Sequence, residues 1–132
     1  MLRKILIVDD ALDWRDILAG LIGDFYPDYA VVTAGSVEEA KDRLAQDTFD
    51  LAILDIRLDD SDEGNTQGLS LMEFIRQHHP HTPVFIITGY GNLDTVERAM
   101  RPNEAGVRLA VDYIEKDKVH TDLLPRVSAL LG

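Results

Sequence analysis

Leu51-Ala52-Ile53-Leu54-Asp55 decides the fold: four apolar residues in unbroken succession, closed by a carboxylate and followed by a long loop over 56–67 rich in Asp, Glu, Gly and Asn. A strand with one face in water alternates apolar and polar residues. A strand covered on both faces reads as a continuous apolar run, the form that parallel sheets take. The same form recurs upstream in Ile5-Leu6-Ile7-Val8 and Ala30-Val31-Val32, and downstream in Val84-Phe85-Ile86-Ile87. A weaker fifth run, Leu109-Ala110-Val111, leads into Asp112-Tyr113-Ile114.

Helical spacing fills the intervals. Residues 12–22 place Leu12, Ile17, Leu18, Leu21 and Ile22 toward one side, and Ser36-Val37-Glu38-Glu39 reads as a capping box opening a helix through about Ala45. Leu69, Leu71, Met72, Phe74 and Ile75 mark a third helix that His79-Pro80 ends, with residues 92–101 and 119–131 supplying two more. Strand and helix thus alternate five times. Right-handed crossovers then give an α/β protein with a doubly wound, five-stranded parallel sheet and helices on both faces. The 132 residues fit one domain.

The composition removes several function classes. There is no cysteine, hence no disulfide, thiolate nucleophile or cysteine metal site. The N-terminal apolar run is too short for a signal peptide, and no run approaches the ~18 residues of a membrane span, so a cytoplasmic protein is expected. With 24 acidic against 13 basic residues the net charge is −11, which repels phosphate backbones and anionic lipid and disfavours direct nucleic-acid or membrane binding.

In an open parallel sheet, ligands bind beyond the C-terminal ends of the strands. The first run ends in Asp9-Asp10, the third in Asp55, the fourth in Thr88-Gly89, and the fifth passes through Tyr113 to Lys116. Singly, each has an ordinary explanation: a capping turn, a polar strand exit, a solvated charge. Together they bring three carboxylates, a hydroxyl and an ammonium to one edge. Oxygen ligands suit a hard cation such as Mg²⁺. Phosphoryl transfer depends mostly on positioning and charge neutralisation, and aspartate is an established covalent acceptor of phosphate.

This set, Asp9-Asp10, Asp55, Thr88 and Lys116, resembles the response regulator receiver domain of two-component signalling over essentially the whole chain, 1–132. Thr88-Gly89-Tyr90-Gly91-Asn92, Val96, Ala99-Met100 and Asp112-Tyr113-Ile114-Glu115-Lys116 are especially similar to receivers of nitrogen-regulation-type activators. The resemblance implies a flavodoxin-like (βα)5 fold and a phosphoacceptor rather than a turnover enzyme. It implies that Asp55 takes a phosphoryl group from a sensor histidine kinase or phosphotransfer protein. Asp9, Asp10, Asp55 and the main-chain carbonyl of Arg57 would hold Mg²⁺ or Mn²⁺. Thr88 and Lys116 would stabilise the phosphoryl group. Thr88 and Tyr113 would form a switch pair reporting to the face of the fourth helix, fifth strand and fifth helix, which could also form a homodimer.

There are departures from the family pattern. Position 59 is Asp where receivers carry proline, Gly68 comes about five residues late for the glycine that opens the third helix, and Asp117 replaces the usual proline after the lysine. The segment between Met100 and Asp112 is about six residues longer than usual. These motivate an alternative, a receiver-like binding module that signals by contact without phosphorylation. A phosphatase is disfavoured because Arg57 stands where such enzymes place a second acid. His78, His79 and His81 read as a helix end rather than a metal site. Trp14, one turn after the acidic pair, would report metal binding by fluorescence if it packs near the site.

Overall fold

The apolar runs pair in parallel to form one sheet. The computed structural model describes residues 3–55, 66–89 and 93–131. Its strands are β1 (Lys4–Val8), β2 (Ala30–Ala34), β3 (Leu51–Asp55), β4 (Val84–Thr88) and β5 (Asp112–Glu115), in the spatial order β2-β1-β3-β4-β5. The central β3 pairs Ile5 with Leu51 on one side and Ala52 with Val84 on the other, and every residue of β3 and β4 is buried. Strand order reverses between β1 and β3, because β1 leads outward to β2 while β3 leads outward to β4.

Side-chain alternation sorts the strands into two cores. Ile5, Ile7, Leu51, Ile53, Phe85 and Ile87 pack with Leu18 and Ile22 of α1 (Leu12–Phe25) and with Val119, Leu123 and Val127 of α5 (Val119–Leu131). Leu6, Val8, Ala52, Leu54, Val84 and Ile86 pack instead with α2 (Val37–Gln46), α3 (Thr66–His78) and α4 (Leu93–Met100), through Ala40, Leu44, Met72, Ile75, Val96 and Ala99. Two helices thus cover one face of the sheet and three the other.

Two local expectations are corrected. The buried stripe of α1 is Leu18 and Ile22, while Leu12 and Ile17 are exposed at 60% and 38%. Apolar residues spread over more than one stripe of the helix, so their spacing alone did not fix which side faced inward. Leu109-Ala110-Val111 is not strand: the Ala110 N–H donates to the Ala99 carbonyl at the end of α4, and only the Val111 N–H reaches the sheet, at the Val84 carbonyl. β5 therefore begins at Asp112. Gly68 stands within the first turn of α3, which begins at Thr66, in keeping with its reading as the glycine that opens this helix.

The loop after α4 closes on itself. Asn103 Oδ1 accepts from the N–H groups of Ala105 and Val107, and Gly106 adopts φ +79° to complete the turn. Residues 101–108 are all exposed. After β5, a 3₁₀ turn over Lys116–Lys118 leads directly into α5, and all described peptide bonds are trans.

Ser36 caps α2 as the sequence predicts, its Oγ accepting from the Glu39 N–H at 3.1 Å. Ser36→Ala leaves that donor without its side-chain partner. The substitution is expected to cost about 1 kcal/mol, lowering the thermal midpoint by roughly 3–5 °C, as read by circular dichroism.

Candidate functional site: an acidic cluster at the sheet edge

β1 and β3 end beside each other, and both end in acid. Asp9 follows β1 directly, and its N–H donates to the Ala34 carbonyl, extending the pairing with β2 by one residue. Its Oδ1 accepts from the Ala11 N–H at 2.9 Å, a local turn that points the side chain back over the sheet end. Asp9 is fully buried and Asp55 nearly so, whereas Asp10 is exposed. One carboxylate oxygen from each of the three lies within 4.8 Å of the others.

Lys116 answers this charge. Its Nζ donates to Asp55 Oδ2 at 2.9 Å and lies 3.5 Å from Asp9 Oδ2. The 3₁₀ turn after β5 is what carries the ammonium back across β4 to the end of β3. Burial alone would lower the ammonium's pKa, but the hydrogen bond and charge of Asp55, together with Asp9, outweigh it and hold it above its ordinary value. Burial pushes the Asp9 carboxyl up from 3.8 to about 6; Asp55 and Asp10 add to the shift, and the Ala11 N–H and Lys116 oppose it.

The donor set fits a hard divalent cation. Three carboxylates gather at one point, Asp9 Oδ2 has no hydrogen-bond partner although it is buried, and every candidate ligand is oxygen. Among the described residues no other group of acids and histidines converges this way. His78 and His79 instead lie beside the Phe74 ring at the end of α3.

Thr88 and Tyr113 lie on the other side of the sheet plane. By strand alternation Thr88 falls with Val84 and Ile86, and Tyr113 falls opposite Ile114, so both face the three-helix layer. Thr88 is 2% exposed, and its hydroxyl donates to the Gly89 carbonyl at 3.0 Å; Tyr113 is 37% exposed. Arg57 and the acidic stretch Asp59–Glu63 lie outside the described residues.

The chain matches the response regulator receiver domain over residues 5–128. It belongs to that family. PilR, a response regulator protein of Pseudomonas aeruginosa, is 42% identical over 114 residues, 86% of this chain and 23% of that protein. The crystal structure of the NtrX receiver domain from Brucella abortus is 32% identical with a TM-score of 0.77, covering 96% of this chain and 97% of that one. The response regulator TrrA of Thermotoga maritima, solved in complex with Mg²⁺ and BeF, is 25% identical with a TM-score of 0.76, covering 98% and 100%. This receiver spans about a quarter of the length of curated relatives such as PilR. Its role is that of the family, a phosphoacceptor switch in two-component signalling, and its acidic cluster fits Mg²⁺. Receivers take phosphoryl groups from histidine kinases and act as switches rather than turnover enzymes. Nothing in the geometry or the comparisons favours the contact-only alternative. No helix among the described residues is long and apolar enough to cross a membrane.

One site residue escaped the sequence reading as a contributor. Trp14 lies with its ring 5.1 Å from Lys116 Nζ. The available signal was its spacing, since Trp14, Leu18 and Ile22 follow one another at intervals of four, and the buried stripe of α1 therefore passes through Trp14.

The raised Asp9 pKa has a definite sign in stability. A carboxyl whose folded pKa is about 6 and whose unfolded pKa is 3.8 favours the fold fully below pH 4, and that contribution is lost as pH rises through 6. Without divalent metal, Asp9→Asn is expected to be more stable than the parent at pH 7 by on the order of 3 kcal/mol. The two should converge toward pH 4 in urea titrations with chelator present, and added Mg²⁺ should stabilise the parent more than the variant.

Proposed function

We propose that Asp55 is the phosphoryl acceptor of this receiver, and that the hydrogen bond from Lys116 Nζ to Asp55 Oδ2 carries that assignment. Asp55 ends the central strand, within the acidic cluster and beside the one described lysine that reaches it. A carboxylate oxygen attacks the phosphorus of a phosphohistidine in line; the P–O bond forms as the P–N bond breaks, and the imidazole leaves. Lys116 orients the acceptor carboxylate and offsets negative charge on the transferring group. Asp9, Asp10 and Asp55, with the main-chain carbonyl of Arg57, would hold the divalent ion, Mg²⁺ or alternatively Mn²⁺. The ion supplies charge neutralisation for the phosphoryl oxygens.

Thr88 and Tyr113 form the switch. Both face the three-helix layer, which supports their acting as a pair. On phosphorylation the Thr88 hydroxyl leaves the Gly89 carbonyl for a phosphoryl oxygen, and the half-exposed Tyr113 ring follows inward. The surface that changes is α4–β5–α5, flanked by the exposed loop 101–108, where a second copy docks. The donor is a sensor histidine kinase or a phosphotransfer protein in the cytoplasm. The unit is one domain over 1–132.

With Mg²⁺ and a small phosphodonor such as acetyl phosphate or phosphoramidate, the chain is expected to gain one phosphoryl group by intact-mass spectrometry. Asp55→Asn should gain none, and Lys116→Ala should slow incorporation by on the order of a hundredfold. Equal labelling of Asp55→Asn would sink the assignment. Sedimentation with and without beryllofluoride tests the dimer.

A further inference from the structure

Lys116 is held on a third side that neither carboxylate accounts for. Its Nζ meets Asp55 Oδ2 at 2.9 Å and Asp9 Oδ2 at 3.5 Å, and the face of Trp14 lies 5.1 Å away. Trp14 stands in the first turn of α1, half-buried, and packs on the same core cluster as Val119, Leu123 and Val127 of α5. It therefore spans from the helix after the acidic pair to the helix after the lysine. We propose that Trp14 is a positioning residue for phosphoryl transfer, its indole face holding the Lys116 ammonium over the sheet edge by a cation–π contact.

The chemistry gives the contact its value. A lysine ammonium on four methylenes loses rotamer freedom when fixed, and its nearer anionic partner, Asp55, changes character in the reaction. When Asp55 becomes an acyl phosphate, its carboxylate charge passes to the phosphoryl oxygens and Lys116 has to follow it. A contact that does not depend on Asp55 keeps the ammonium at the edge during that exchange. The Lys116 side chain is 21% exposed, so the alternative open to it is solvent. The ring also shields one flank of the ammonium from water, which strengthens its field at the acceptor. At the magnitudes typical of such contacts, losing the ring slows the reaction about five- to thirtyfold.

The proposal rests on the phosphoacceptor reading, and the tests separate the two. Trp14 is the sole tryptophan, so growth on fluorinated tryptophan labels this ring alone. Fluorines withdraw charge from the ring face while leaving its shape almost unchanged. Incorporation from acetyl phosphate with Mg²⁺ is expected to slow stepwise from unlabelled to mono-, di- and trifluorinated chain. Trp14→Leu should show the five- to thirtyfold loss, Trp14→Phe should recover most of it, and neither effect should persist in a Lys116→Ala background. Equal rates across the fluorinated series, or an undiminished Trp14→Leu loss without Lys116, would overturn the positioning role. If the unmodified chain takes no phosphoryl group from any donor, the phosphoacceptor reading falls instead. The contact is then decided by Trp14 emission, which should change on Lys116→Ala; unchanged emission overturns it.

Discussion

Three carboxylates drawn together at a sheet edge, two of them buried, repel one another, and one ammonium makes the arrangement tenable in the folded chain. Lys116 reaches both Asp55 and Asp9 from the far side of β4, at the cost of its own partial desolvation. The remaining imbalance stays on Asp9, whose buried carboxyl is held as high as about 6. The site is therefore under electrostatic tension, relieved by whatever positive charge arrives. A protein selected only for stability would replace such a cluster with apolar residues. Its place at the strand-order reversal of the sheet accords with a site that attracts a cation and, in this family, a phosphoryl group.

Strand alternation explains how one edge serves two faces. Asp9 and Asp55 share the parity of Ile5, Ile7, Leu51 and Ile53, and so belong to the side covered by α1 and α5, where Trp14 and Lys116 also lie. Thr88 and Tyr113 share the opposite parity and belong to the side of α4. The two sets of residues are divided by the thickness of a single sheet. The proposed switch therefore asks only that a hydroxyl rooted on the three-helix side reach a group on the two-helix side, a short path requiring no chain of intermediates.

Much of this was legible in the residues because it depends on local pattern. Continuous apolar runs announced four parallel strands, three of them buried and β2 a half-buried edge, and the acids that close β1 and β3 announced the ligand edge. Ser36 and Glu39 marked the start of α2 correctly. What was not legible depended on tertiary choices. Leu109-Ala110-Val111 has strand composition, but the Ala110 amide is taken by the end of α4. Leu12 and Ile17 are as apolar as Leu18, yet α1 turns them to solvent because only one stripe can face the sheet. Trp14 drew notice only as a reporter, since its value comes from Lys116, roughly a hundred positions further along the chain. The resemblance to receivers supplied residue roles that spacing alone leaves open.

The loop between α4 and β5 has a consequence for how such domains diversify. Its own amide groups close on the Asn103 carbonyls, and the chain is anchored on either side, by Arg101 to Glu97 and by Ala110 to Ala99. Extra residues between two fixed anchors cost little, because closure entropy grows only with the logarithm of length. The segment is thus a cassette whose length and spelling can drift while the sheet and its acids stay in place. Changes confined to it alter the outline of the α4–β5 surface while leaving the reaction at the opposite layer of the sheet untouched.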